Sequence, residues 1–324
     1  TPSFKIFPIT NRTIIFISLR INTLLVQIHE IALLKTETTF EFSKDKIDLL
    51  RYKSIAIKVG GNALTDDRVK SLITHQIAKL YELGIRPIII HGGGIEIKQL
   101  LDRVGIVSEF IGGHRRTDTE SIRYIEMALS GQVNKDLVGR LNALEIPAVG
   151  ISGKDADMVK ATRRKISETQ NSKKEKSIDL GLVGDVDSID PSLLQTLLQN
   201  GYLPVISPVS AGPDGETLNV NADMFAGHIA AAVGAEKYIA LTNVDGLLKN
   251  REDATSLITK MSPEEAQELM KTVIEGGMIP KVESCLAALE GGVASAHIIN
   301  GTKKDSLLRI LLSEEVAGTT FQST

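Results

Sequence analysis

The sequence predicts an α/β fold on a mainly parallel sheet, and three observations carry that prediction. Short β-branched runs alternate with helical segments from Ser54 onward, glycines end the first two of those runs, and no repeat or Gly/Ser linker divides the chain. Strand, loop and helix in repetition are the signature of parallel strands joined by right-handed crossovers.

The elements follow in order. Ile55–Val59 is a β-branched strand stopped by Gly60-Gly61. Asp66 to Leu83 has Val69, Leu72, Ile73, Ile77, Leu80 and Leu83 near a 3.6 period, with Gly84 as its stop. Pro87–Ile90 reads as a buried parallel strand broken by His91-Gly92-Gly93-Gly94, and a helix over Ile95–Val104 starts from those glycines. Thr117–Leu144 reads as one long helix kinked near Gly131, and Ala148–Ile151 as a strand. Arg163–Asp179 is lysine-rich without apolar period, which predicts an exposed hairpin or flap. Asp190-Pro191 opens a helix that ends at Gly201, and Leu203–Ile206 and Lys237–Leu241 are further strands. Ser262-Pro263-Glu264-Glu265 has capping-box spacing. The pattern predicts two lobes with a boundary near Gly234: 54–234 and 235–324, after an extension over 1–53.

Bulk properties narrow the function classes. The 324 residues are 42% hydrophobic, enough for a sizeable core, and the formal net charge of -3 gives no electrostatic case for nucleic acid or an anionic membrane. A single cysteine, Cys285, excludes an intrachain disulfide framework and fits a reducing, cytoplasmic location; six scattered histidines show no zinc-ligand spacing. Thr13–Leu34 is apolar in tone, but Arg20, Asn22, Gln27, His29 and Glu30 interrupt it, so no membrane span is expected. Residues 1–29 contain Lys5, Arg12 and Arg20 and no acid, a composition shared by organellar transit peptides and by merely appended termini.

Three features could carry chemistry. Gly60-Gly61 and Gly92-Gly93-Gly94 end successive strands, where ligands bind in open parallel sheets, and glycine lets backbone N–H groups approach an anion. Either loop alone could be a tight turn; two together favour an anion cleft. Neither has G-x-G-x-x-G or P-loop spacing. Lys58 stands inside an apolar strand, so it reaches a charged partner in a cleft or snorkels from a sheet edge. Lys281 follows Gly276-Gly277-Met278-Ile279-Pro280 at a helix start, where a cation opposes the dipole; a solvated first-turn lysine is the other reading. Asn221 is a candidate N-cap with Asp223 in the first turn, a placement the dipole alone could explain. Together these parts suit phosphoryl transfer, which needs positioning and charge neutralisation. A carboxylate acceptor is already ionised and needs no base, and none is obvious.

Lys58-Val59-Gly60-Gly61, His91-Gly92-Gly93-Gly94, Gly113–Thr117, Leu218–Asp223 and Gly277–Lys281 closely resemble the acetylglutamate kinases of the amino acid kinase family, with Leu129–Lys135 adding to the likeness over residues 54–324. The resemblance implies a three-layer αβα sandwich of two lobes, an N-acetyl-L-glutamate site in the first and MgATP on the second. It implies an acyl-phosphate product in arginine biosynthesis. Carried over by position, it gives Lys58 and Lys281 transition-state roles and makes Asp223 their organiser. Gly61 and Gly93 donate backbone N–H groups to the transferring phosphoryl, with Gly93, Gly94, Arg115 and Asn219 on the substrate. Thr242, Asn243, Gly246, Leu247, Gly277 and Met278 fall on the nucleotide. Magnesium is implied to arrive with ATP, without protein ligands, and the helix from Thr117 corresponds to a homodimer contact.

Departures accompany the likeness. His114-Arg115-Arg116 replaces the common Leu-Arg-Val, which leaves Arg115 and Arg116 both open as the substrate arginine. Ile310 and Val316 stand where arginine-inhibited members have Glu and Gly, so feedback control is not expected. Related kinases of glutamate, carbamate or an aminoadipate derivative are the nearest rivals. An acetyltransferase with a kinase-like domain would be expected to need a further domain after Gly318-Thr319-Thr320, and a silent ligand sensor would not need Lys58, Asp223 and Lys281.

Overall fold

The central sheet is built from strands whose residues are apolar on both faces, as burial between two helical layers requires. The computed structural model describes residues 41–168, 176–250 and 252–322. Eight strands run in the order β6–β8–β7–β5–β1–β2–β4–β3: β1 (Ser54–Val59), β2 (Arg86–His91), β3 (Ala148–Ser152), β4 (Leu203–Ser207), β5 (Lys237–Thr242), β6 (Lys260–Met261), β7 (Ser295–Asn300) and β8 (Thr319–Phe321). Every neighbouring pair is parallel except β7–β8. The three-layer α/β sandwich with a mainly parallel sheet is therefore present.

β1 lies between β5 and β2, so Lys58 is on a central strand and not at an edge. The chain runs outward from β1 on one side through β2, then returns to its other side at β5. That reversal creates a crevice at the carboxyl ends of the strands. One face of the sheet is covered by α1 (Lys44–Leu50), α2 (Asp67–Glu82), α5 (Asn134–Asn142) and α10 (Ser306–Leu312). The other packs against α6 (Ser192–Gln199), α7 (Ala222–Ala232), α8 (Pro263–Met270) and α9 (Ile279–Glu290), through a core that includes Ala56, Ile88, Phe225, Ile229, Tyr238 and Val282. Strand period 2 puts Lys58 on the same face as Ala56, toward α7 and α9.

Local signals explain the helix starts. Asp66 Oδ1 accepts from Arg68 N at 2.8 Å and Val69 N at 3.3 Å to open α2. Ser262 and Glu265 form the capping box, with Glu265 Oε2 accepting from Ser262 N at 2.8 Å. α3 (Gly94–Arg103) starts straight from the glycines.

The structure adds to the sequence reading in three places. The long helix begins at Ser121, not Thr117, because Thr117 is bridged to Gly181 through backbone hydrogen bonds with Leu180 and Leu182. It runs as α4 (Ser121–Glu126), a π-helical stretch Met127–Val133 containing Gly131, and α5. The flap is a hairpin, Val159–Glu168 with Lys176–Ile189, whose base closes a four-stranded barrel with Val209–Ala211 and Thr217–Val220. Its apolar lining (Val159, Ala161, Leu218, Val220) joins the main core. α1, which precedes β1, buries Ile47 and Leu50, and Ser43 N donates to Leu312 O at 2.7 Å. The compositionally odd segment 1–40 lies outside the described residues, and no helix among the described residues is long and apolar enough to cross a membrane.

Candidate active site

Asn221 builds the centre of the site. Its Oδ1 accepts from Asp223 N at 2.9 Å and Met224 N at 3.2 Å, which caps α7 and places Asp223 in the first turn. Asp223 is 6% exposed and its carboxylate engages both lysines: Lys58 Nζ lies 2.8 Å from Oδ1 and Lys281 Nζ 3.0 Å from Oδ2. Lys58, on β1, and Lys281, in the first turn of α9, thus meet on one carboxylate although they are far apart in sequence. Close packing of α7 on α9 makes this possible, since a Cβ on Gly227 would strike the Ser284 carbonyl.

The electrostatics are those of a buried Lys58–Asp223 pair joined by the half-buried Lys281, with an excess positive charge. Burial lowers the Lys58 pKa below its usual 10.5 and the nearby Lys281 charge adds to that, while Asp223 opposes them. For Asp223, burial alone would raise the carboxyl, but the two ammonium groups outweigh it and hold it below 3.8. Desolvating three charges costs stability that their attraction only partly returns. Shifted pKa values in a cleft mark a candidate functional site, and the excess positive charge suits an anion.

The glycine loops close over the triad. A Cβ on Gly60 would stand 2.5 Å from Lys58 Nζ, so the ammonium lies directly against that backbone. Gly92 N donates to Val59 O at 2.8 Å and ties the two loops together, and a Cβ there would sit 3.6 Å from Ala222 Cβ. Gly61 has φ +62°, a left-handed conformation that favours glycine. Gly93 caps α3 beneath Leu129 and Val133.

Arg115 is 9% exposed and its guanidinium donates to Gly94 O at 3.0 Å and to Ser108 Oγ, stacked 4.6 Å from the Phe110 ring centroid. Arg116 is exposed and pairs outward with Glu109 at 2.9 Å. Of the two arginines, Arg115 is the one beside the glycine loop. Asn219 alternates with buried Leu218 and Val220, so it lies on the open face of its strand with Thr217, which accepts from Lys154 Nζ at 3.0 Å.

A separate apolar cavity of about 280 Å3 is lined by Val244, Gly246, Leu247, Leu248, Val273, Ile274, Glu275 and Met278. It gathers three of the residues assigned to the nucleotide, Gly246, Leu247 and Met278. Thr242, Asn243 and Gly277 flank it in sequence and do not line it. Val273 and Ile274 escaped the sequence reading; the signal was an apolar pair just upstream of Gly276-Gly277. The crevice can hold a polyanion between two lysines and glycine N–H groups, and the apolar cavity includes Met278, the residue that precedes the helix of Lys281.

A model of the amino acid kinase family matches residues 53–300. The acetylglutamate kinase of Pelotomaculum thermopropionicum is 43% identical over 268 residues, 82% of this chain and 91% of that protein. That of Methanobrevibacter smithii is 44% identical over 269 residues, 82% of this chain and 92% of its own length. Among solved structures, the N-acetylglutamate synthase from Neisseria gonorrhoeae complexed with coenzyme A and N-acetyl-glutamate superposes with a TM-score of 0.73 at 25% identity, over 86% of this chain; the chain spans 62% of that synthase. Carbamate kinase from Giardia lamblia bound to AMP-PNP, at 13% identity and a TM-score of 0.60 over 84% of this chain and 99% of its own, shares the fold. By the extent of these matches, the chain belongs to the amino acid kinase family.

Proposed function

We propose that this chain transfers the γ-phosphoryl group of MgATP to the side-chain carboxylate of N-acetyl-L-glutamate, giving N-acetyl-L-glutamyl 5-phosphate and ADP, a step of arginine biosynthesis. The observation that carries the reading is the pair of ammonium groups sharing Asp223 beneath two glycine loops. The acetylglutamate kinases to which the chain is 43–44% identical supply the acceptor.

In the reaction a substrate carboxylate oxygen forms a bond to the γ-phosphorus as the bond to the β,γ-bridging oxygen breaks. The acceptor is ionised near neutral pH, so no base is required. Lys58 and Lys281 offset charge on the equatorial and leaving oxygens, and Asp223 holds both ammonium groups in place before the phosphates arrive. Gly61 and Gly93 add backbone N–H groups. Gly94, Arg115 and Asn219 hold the acid, with the Arg115 fork on a carboxylate. The adenine enters the cavity of Gly246, Leu247 and Met278, while Thr242, Asn243 and Gly277 frame its phosphate side. Mg2+, carried by ATP without protein ligands, would supply further charge neutralisation to the triphosphate.

Residues 54–234 form the acid-binding lobe and 235–324 the nucleotide lobe. Two copies pair through the helix that starts at Ser121, where Met127 is 59% exposed. Buried Cys285, the chain's single cysteine, fits a cytoplasmic compartment.

Hydroxylamine trapping with MgATP tests the acceptor. Hydroxamate from N-acetyl-L-glutamate, matched by ADP release and exceeding that from glutamate or carbamate, supports it. Turnover confined to a rival acid overturns it, and binding without ADP release would make the chain a sensor.

A further inference from the structure

His91 and Asn134 belong to motifs of the sequence but have no part in the chemistry above. Both are fully buried. His91 ends β2, one residue before the glycine loop, and its Nδ1 lies 2.8 Å from Gly92 O. A carbonyl only accepts, so Nδ1 carries the proton. Nε2 faces Asn134 Nδ2 at 3.1 Å. That amide nitrogen has two protons for three acceptors: with one on Nε2, the other is shared by Val205 O at 2.9 Å and Ile151 O at 3.4 Å, while Asn134 Oδ1 accepts from Lys135 Nζ at 3.0 Å. Turning the amide over would set its oxygen against two carbonyls and its nitrogen against an ammonium. The amide is therefore fixed, Nε2 must be the acceptor, and the imidazole is neutral, with burial holding its pKa down to about 4.

The chain of bonds from Lys135 through Asn134 and His91 ends on one peptide. Because a trans peptide is planar, fixing the Gly92 carbonyl on the imidazole side turns the Gly93 N–H the opposite way. The π-helical stretch Met127–Val133 supplies the other wall: Leu129 and Val133 lie over Gly93, and the wide turn delivers Asn134 to His91.

We propose that His91 and Asn134 are positioning residues that hold the Gly92–Gly93 peptide in the orientation in which the Gly93 N–H meets the transferring phosphoryl group. This rests on the phosphoryl-transfer reading above. Three variants separate positioning from packing. His91→Leu keeps the bulk and loses both bonds; His91→Asn retains a donor near the Nδ1 position; Asn134→Leu frees the far side of the ring. Loss of one such donor costs about 10²–10³ in kcat, and a misaligned one somewhat less. His91→Leu is expected to lower kcat by roughly 10- to 100-fold with little change in KM for the acid, His91→Asn to recover most of that loss, and Asn134→Leu to fall between.

Thermal melts of each variant accompany the kinetics. Loss of kcat that tracks the drop in melting temperature alone, or equal losses in His91→Asn and His91→Leu, would overturn the proposal. A wild type inactive on N-acetyl-L-glutamate but active on a rival acid unseats only the acceptor, since the same comparison then runs on that acid. An independent readout needs no turnover: long-range 1H–15N spectra of the wild type should show His91 as the Nδ1–H tautomer with no titration from about pH 6 to about pH 8. The Nε2–H tautomer, or titration within that range, overturns the proposal whatever the substrate.

Discussion

The proposed reaction gives the triad residues and Arg115 separable roles. Lys281→Ala removes an ammonium that matters most in the transition state, so kcat should fall by about 10²–10³ with KM for the acid little changed. Arg115→Ala should instead raise KM for the acid by roughly 10- to 100-fold, the worth of a charge-assisted hydrogen bond. Steady-state kinetics of both variants check the split, and opposite effects would reverse the roles. Asp223→Asn leaves the buried Lys58 ammonium, and the half-buried one of Lys281, without a countercharge, at a cost of about 3–5 kcal/mol read from urea denaturation. The sign with pH follows from the depressed Asp223 carboxyl. Its contribution is present above 3.8 and is lost as pH falls through the folded-state value, so the variant should lack that acid-side loss. Lys58 gives the alkaline counterpart. Its lowered pKa predicts that kcat/KM, which reports the free protein, falls on an alkaline limb below 10.5. In kcat the limb should lie higher, because bound phosphates favour the charged lysine. A pH profile with coincident limbs would contradict this.

At the scale of elements, the site depends on how closely α7 and α9 approach. Gly227→Ala places a methyl against the Ser284 carbonyl and must push α9 away, which overpacking data price at about 1–3 kcal/mol. The same shift draws Lys281 off Asp223, so melting temperature and kcat should fall together; an active, stable Gly227→Ala would show that the approach is not needed. Sequence periodicity revealed the strands, α2 and the two glycine loops, because those signals are local. Lys58 also stood out, as a charge among β-branched residues, and the Asn221 cap was legible from its spacing. What stayed hidden was long-range. The barrel joins strands of Val159–Glu168 and Thr217–Val220 that share no pattern, and the polar lysine run at the hairpin masked its apolar base. The π-helical turn has no compositional mark beyond Gly131. The pairing of Lys58 with Lys281 on Asp223 follows from the crossing of β1, α7 and α9, which no one segment encodes; the family resemblance supplied it. Arg115 was distinguished from Arg116 only by burial and its bond to Gly94.

For the molecule as a whole, the sheet order places charge from both halves of the chain at one crevice. β1 and β2 bring Lys58 and the glycine loops, α7 brings Asp223, and α9 brings Lys281 together with the apolar cavity around Leu247 and Met278. With two ammonium groups on a single carboxylate, the crevice carries one net positive charge, which suits a polyanion. The most direct test is a crystal structure with MgADP, a planar aluminium or magnesium fluoride, and N-acetyl-L-glutamate. Both Nζ atoms of Lys58 and Lys281 should then lie about 2.7–2.9 Å from the fluoride cluster or its bridging oxygen, with Arg115 on a carboxylate of the acid. A complex in which either lysine stays turned away from the phosphoryl mimic would contradict the account.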